Sequence, residues 1–103
     1  MQFDENDDGV EVTIRQRHGI AIVLPENPMT GYSWAFEIEG FSIVLAGDDY
    51  APVSTLVGDG GHRTARFTAQ RFGVSAICGY LRRPWETHEH AIKTYRLTVM
   101  VSA

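Results

Sequence analysis

The side chains of this chain best suited to nucleophilic or metal chemistry are one cysteine and a few histidines. His88-x-His90, flanked by Glu86 and Glu89, could set imidazoles and carboxylates along one strand face, as the start of a divalent-metal site. Two histidines two residues apart fall short of a full ligand set. The plainer reading makes His62, His88 and His90 loop or edge residues. Cys78 lies in an alternating apolar pattern, the setting of a buried, inert thiol. A reactive thiolate instead wants exposure beside a base or a positive charge. Arg82-Arg83 reads as a solvated pair. Arg63, Arg66 and Arg71 read as cover for the outer face of their sheet. No catalytic residue and no metal ligand is assigned on these grounds, and no cofactor is expected.

The chemistry that remains is recognition. In PENPMTG, residues 25–31, two prolines, an asparagine, a threonine and a glycine crowd into seven positions, and an aromatic strand follows. Pro28 fixes its own φ and pushes Asn27 towards extended backbone. Gly31 permits angles that other residues avoid. The side chains of Asn27 and Thr30 can bond to nearby backbone and hold a turn. Such a loop loses little entropy on docking. Two further stretches are as irregular: Gly58-Asp59-Gly60-Gly61 and Arg83-Pro84-Trp85. The glycines allow close backbone approach to a partner, and Trp85 is a large anchor of the kind that dominates interfaces. Taken singly, each stretch has a bland reading as a turn, a flexible loop or a partly buried anchor.

The elements that must position these loops are strands. Val10, Val12 and Ile14 alternate with polar residues, and so do Ile20, Ile22 and Leu24. Tyr32, Trp34, Phe36 and Ile38 predict a third strand with Tyr32 and Trp34 in the core. Phe41, Ile43 and Leu45 predict a fourth, and Ala65, Phe67 and Ala69 a fifth. Residues 73–81 form a sixth strand, whose inner face holds either Val74, Ala76, Cys78 and Tyr80 or Ser75 and Ile77. Tyr95, Leu97, Val99 and Val101 complete a seventh. Residues 47–61 read as a long irregular connection, with a short extended piece at 53–57. No segment carries a helical stripe. About seven short strands in 103 residues fit an all-β, antiparallel, immunoglobulin-like sandwich, with Trp34 as its core tryptophan. The usual cystine is absent because Cys78 has no partner. Alternate connections of such a sandwich share an end, which gathers loops 25–31, 57–61 and 82–91. Residues 1–8 read as a loose acidic lead-in and residues 9–103 as a single domain.

A net charge of −4 argues against a general nucleic-acid partner. No apolar run approaches the ~20 residues of a membrane helix, and no membrane partner is expected. The acidic start has no basic region followed by an apolar one, so no secretory signal is read there.

Asn27-Pro28-x-Thr30-Gly31-Tyr32-x-Trp34, Gly58-x-Gly60-Gly61 and Arg83-Pro84-Trp85 occur in that order. Together they resemble the chagasin-type inhibitors of papain-like cysteine proteases, over about residues 10–102. The resemblance implies a reversible, competitive inhibitor that is not an enzyme. It implies a wedge of three loops laid across a protease active site: Asn27–Gly31 over the catalytic thiolate and its histidine, Gly58–Gly61 along the non-primed side, and Arg83–Trp85 along the primed side. The family usually has threonine where this chain has Met29. An adhesion or carbohydrate-binding module using the same loop end is the alternative the fold leaves open.

Overall fold

A computed structural model describes residues 1–53, 58 and 60–103 of the chain. Among them are eight strands: β1 (Gln2–Phe3), β2 (Glu11–Arg15), β3 (Gly19–Glu26), β4 (Ser33–Glu39), β5 (Ile43–Pro52), β6 (Gly61–Ala69), β7 (Gly73–Arg82) and β8 (Lys93–Ser102). They make two four-stranded sheets, ordered β1-β3-β6-β5 and β2-β8-β7-β4. Period-2 alternation sends Ile20, Ile22 and Leu24 of β3, Ala65 and Phe67 of β6, Trp34 of β4 and Leu97, Val99 and Val101 of β8 into one buried cluster. Phe36 meets Phe67 edge-on, with centroids 6.1 Å apart. This is the immunoglobulin-like sandwich the pattern predicted. It is antiparallel except at two edges, where β1 runs parallel to β3 and β2 parallel to β8.

Two features differ from the sequence reading, and a third decides between the alternatives it left open for β7. The stretch after Leu45 stays in the sheet: β5 runs on to Pro52 through a register shift between Leu45 and Gly47. An edge strand tolerates the Gly, Asp and Pro that would break a central one. Asp48 and Asp49 are also tied to Arg63 (3.2 Å) and Arg66 (3.1 Å) of β6. Of the extended piece suggested at 53–57, only Val53 is among the described residues.

The acidic lead-in is docked rather than loose. Gln2 and Phe3 pair with Ala21 and Ile22. Asp4 and Asp7 form a capping box around the short 3-10 turn Glu5–Asp7. The Tyr95 hydroxyl donates to the Asp4 carbonyl (3.0 Å), and Asp8 accepts from the Arg96 amide (2.9 Å). Burial pushes the Tyr95 phenol well above its usual pKa range, and the charges of Asp7, Asp8 and Asp4 push the same way.

In β7 the inward face is Ser75 and Ile77, with Ser75 hydrogen-bonded to Ser42. Cys78 therefore faces outward, between Glu37 of β4 and Arg96 of β8, yet it is buried because long side chains lie over it. Arg96 approaches its sulfur at 3.4 Å and also pairs with Glu39.

Candidate functional site

Because β5 remains one strand, the β3–β4, β5–β6 and β7–β8 connections share one end of the sandwich. The first holds itself by its own side chains. Asn27 caps the 3-10 turn Pro28–Thr30, its Oδ1 accepting from the Met29 amide at 3.0 Å. Thr30 Oγ1 donates to the Asn27 carbonyl (2.7 Å) and accepts from the Tyr32 amide (3.3 Å). Gly31 closes the turn at φ +80°, in the left-handed region, where a side chain would be strained. Met29 stands at the tip, 66% exposed.

The base of this loop rests on a residue that the sequence reading passed over. Glu26 continues the inward phase of Ile20, Ile22 and Leu24, so its carboxylate is buried with only 2% of the side chain exposed. It accepts from the Trp34 amide (2.7 Å) and from Arg63 Nη2 (2.7 Å) and Nε (3.2 Å). Trp34 Nε1 donates to the Pro25 carbonyl (3.0 Å). Arg63 thus does more than cover an outer face: it is in phase with the buried Ala65 and Phe67, and it ties β6 to the root of the first loop. Its hydrogen bond to Glu26 leads the causes that hold its pKa above the usual guanidinium value.

The first loop reaches the second directly. Asn27 Nδ2 donates to the Gly58 carbonyl at 3.0 Å. Val53 donates to the Gly60 carbonyl (3.1 Å), closing the second connection. Gly61 proves to be an internal requirement. It is buried at the start of β6, and a Cβ there would fall 2.2 Å from the Ala51 carbonyl oxygen. Asp59 and position 57 lie outside the described residues.

The third loop is bracketed by Arg82, which is not a merely solvated charge. Its Nη1 donates to the carbonyls of Arg83 and Pro84 (3.2 Å each), and its Nε donates to His88 Nδ1 (3.2 Å). The His88 ring stacks on Tyr80, centroids 3.9 Å apart, and its Nε2 faces Glu37 at 3.2 Å. Thr87 occupies His90 Nδ1 at 3.1 Å. Among the described residues, no three His, Cys, Asp or Glu side chains converge into a metal-ligand set. Burial pushes the Cys78 thiol up, opposite to what a nucleophile needs.

Arg83 and Tyr32 join the first and third loops. The Arg83 guanidinium lies 4.9 Å from the Tyr32 ring centroid. Tyr32 therefore departs from the core role its spacing predicted: it precedes β4 and sits half-buried between the loops. Pro28, Gly31, Tyr32, Pro84 and Trp85 line an open cleft of about 400 Å³, with Arg63 among its other walls. Trp85 is 77% exposed and projects from the rim.

Fold and site together define a class: an immunoglobulin-like sandwich that presents three cross-braced loops at one end. Residues 13–99 match the family described as Chagasin family peptidase inhibitor I42, and the chain belongs to that family. It is 32% identical to amoebiasin-1 of Entamoeba histolytica, over 98% of this chain and 99% of that one. It is 31% identical to chagasin of Trypanosoma cruzi, over 92% and 90%. The crystal structure of the cysteine protease inhibitor EhICP2 from E. histolytica superposes with a TM-score of 0.86 at 25% identity, covering 98% and 94%. The chain is thus a peptidase inhibitor and not an enzyme, and the adhesion or carbohydrate-binding reading is set aside.

Proposed function

We propose that the chain is a reversible, competitive inhibitor of papain-like cysteine proteases, acting as one unit over residues 9–103 through its three-loop edge. Asn27, Pro28, Met29, Thr30 and Gly31 would cover the catalytic thiolate and its histidine. Gly58, Asp59 and Gly60 would lie along the non-primed side, with Gly61 seating that loop on β5. Arg83, Pro84 and Trp85 would lie along the primed side, with Arg83 steadying the loop against Tyr32.

The observation that carries this reading is the self-bracing of the first loop, whose Asn27 is bonded both to its own turn and to Gly58 of the neighbouring loop. A loop ordered before contact gives up little conformational entropy on docking. The curled backbone of Pro28–Thr30 also offers no extended peptide to thiolate attack. Met29 in the first loop and Trp85 in the third, both well exposed, supply apolar surface.

Steady-state inhibition of papain with a small peptide substrate tests the proposal. The expected result is a raised apparent KM at unchanged kcat, reversed on dilution. Full activity of papain and of a cathepsin panel at micromolar inhibitor would end it.

A further inference from the structure

The opposite end of the sandwich carries a second organised surface. The turns Gln16–His18, Gly40–Ser42 and Gln70–Phe72 meet there and are locked together by hydrogen bonds. Arg17 N donates to the Ala69 carbonyl (2.7 Å) and Gln16 Nε2 to the Gln70 carbonyl (2.7 Å). The amides of Gln70 and Arg71 both donate to the Ser42 carbonyl, at 2.8 and 3.1 Å. On this rigid frame stand Phe41, 87% exposed, and Phe72, 62% exposed. The chain's other phenylalanines are buried or packed against the core. Val74 and Met100, paired across β7 and β8 and both exposed, continue the apolar surface onto the sheet.

The charge around these rings runs against the chain's average. Overall the molecule is −4, yet none of the residues in the three turns is acidic, while Arg15, Arg17 and Arg71 are all exposed there. Glu39, at the end of β4, is engaged by Arg96 at 3.2 Å. Protruding phenyl rings on hydrogen-bonded turns, with exposed arginines on the same turns and at the adjoining end of β2, match a phase boundary that is apolar below and anionic above. A second copy of the chain fits less well, because a symmetric pairing would set these arginines against themselves.

We propose that this pole docks on an anionic lipid bilayer, with Phe41 and Phe72 entering the headgroup boundary and Arg15, Arg17 and Arg71 meeting lipid phosphates and carboxylates. The expectation of no membrane partner rested on the missing apolar run, which excludes a spanning helix but not a surface contact. Strands of up to ten residues, ~33 Å at ~3.3 Å per residue, separate this pole from the three loops. A docked molecule would therefore still hold its recognition edge out in solution. The inference stands apart from the inhibitor reading and uses none of its residues.

Co-sedimentation with large vesicles tests it. The intact chain should pellet with phosphatidylcholine vesicles containing roughly a third phosphatidylserine at low salt, and not with phosphatidylcholine alone. The bound fraction should fall on the order of tenfold in a Phe41→Ser/Phe72→Ser variant, in an Arg17→Glu/Arg71→Glu variant and at ~0.5 M salt. Unchanged circular dichroism would show that both variants are folded. Failure of the intact chain to pellet with the anionic vesicles overturns the proposal and leaves the pole to a protein partner. So does binding that survives both substitutions.

Discussion

At the scale of single residues, the proposed recognition edge combines exposed side chains with hidden braces. Trp85 is the proposed anchor, and Pro84 and the Arg82 bracket hold the backbone from which it projects. Trp85→Ala should weaken papain binding by about 2 kcal/mol, mostly through faster dissociation, which surface plasmon resonance would read directly. An unaltered dissociation rate would remove Trp85 from the interface. Asn27, Pro28, Thr30 and Gly31 were legible in the sequence because their work is local: each acts on backbone within a few positions. Tyr32 was not, because its phase with Trp34 matched a core residue. Its actual neighbour, Arg83, lies across the loop end in another connection. Arg82 was missed for a related reason, since a pair of adjacent arginines gives no hint that one folds back onto the carbonyls ahead of it.

At the scale of elements, the loops inherit their position from strands joined behind them. Glu26 and Arg63 are 37 residues apart in the chain, yet their side chains connect β3, β4 and β6 at the root of the first loop. Removing the carboxylate by Glu26→Ala leaves the Trp34 amide and part of the Arg63 guanidinium unpaired in a buried place. The expected loss is about 2–3 kcal/mol, or a fall in Tm of roughly 10 °C. Glu26→Gln, which retains an acceptor for the Trp34 amide, should fall less. Equal Tm values for wild type and Glu26→Ala in a thermal melt would mean that the pair does not hold the loop base. A carboxylate in the inward phase of an apolar strand is the sequence signal for such a site, and Arg63 in phase with Ala65 and Phe67 is its counterpart. Pairing the two required the register of Leu24 with Arg63, which alternation alone does not supply. The length of β5 escaped for a different reason. Gly47, Asp48, Asp49 and Pro52 lower strand propensity, and the register shift after Leu45 breaks the alternation that would reveal it.

At the scale of the whole molecule, two sheets keep two dissimilar ends apart, and the amino-terminal segment is fastened to their side. The sandwich itself was legible because β2, β3, β4, β6 and β8 place apolar residues at every second position. The docked lead-in was not, because two residues in parallel pairing leave no periodic trace. Tyr95 reports on that docking. Its pKa is raised on folding, so the neutral phenol's contribution is complete below the unfolded value of about 10. It is lost as pH rises towards the higher folded value. Wild-type stability, followed by denaturant melts, should therefore decline above about pH 10, where the phenol of the unfolded chain ionises while the folded one, beside Asp4, Asp7 and Asp8, stays neutral. Tyr95→Phe should be less stable at neutral pH and decline less steeply. Parallel alkaline profiles for the two proteins would contradict this coupling.

The central claim is that the three-loop end covers the protease's catalytic thiolate. It is tested most directly by alkylating papain with iodoacetamide in the preformed complex and following the active-site cysteine by peptide mass. Strong protection is predicted, recovering to the free rate when the complex is diluted apart. Alkylation at the free-enzyme rate in a demonstrably intact complex would contradict the account.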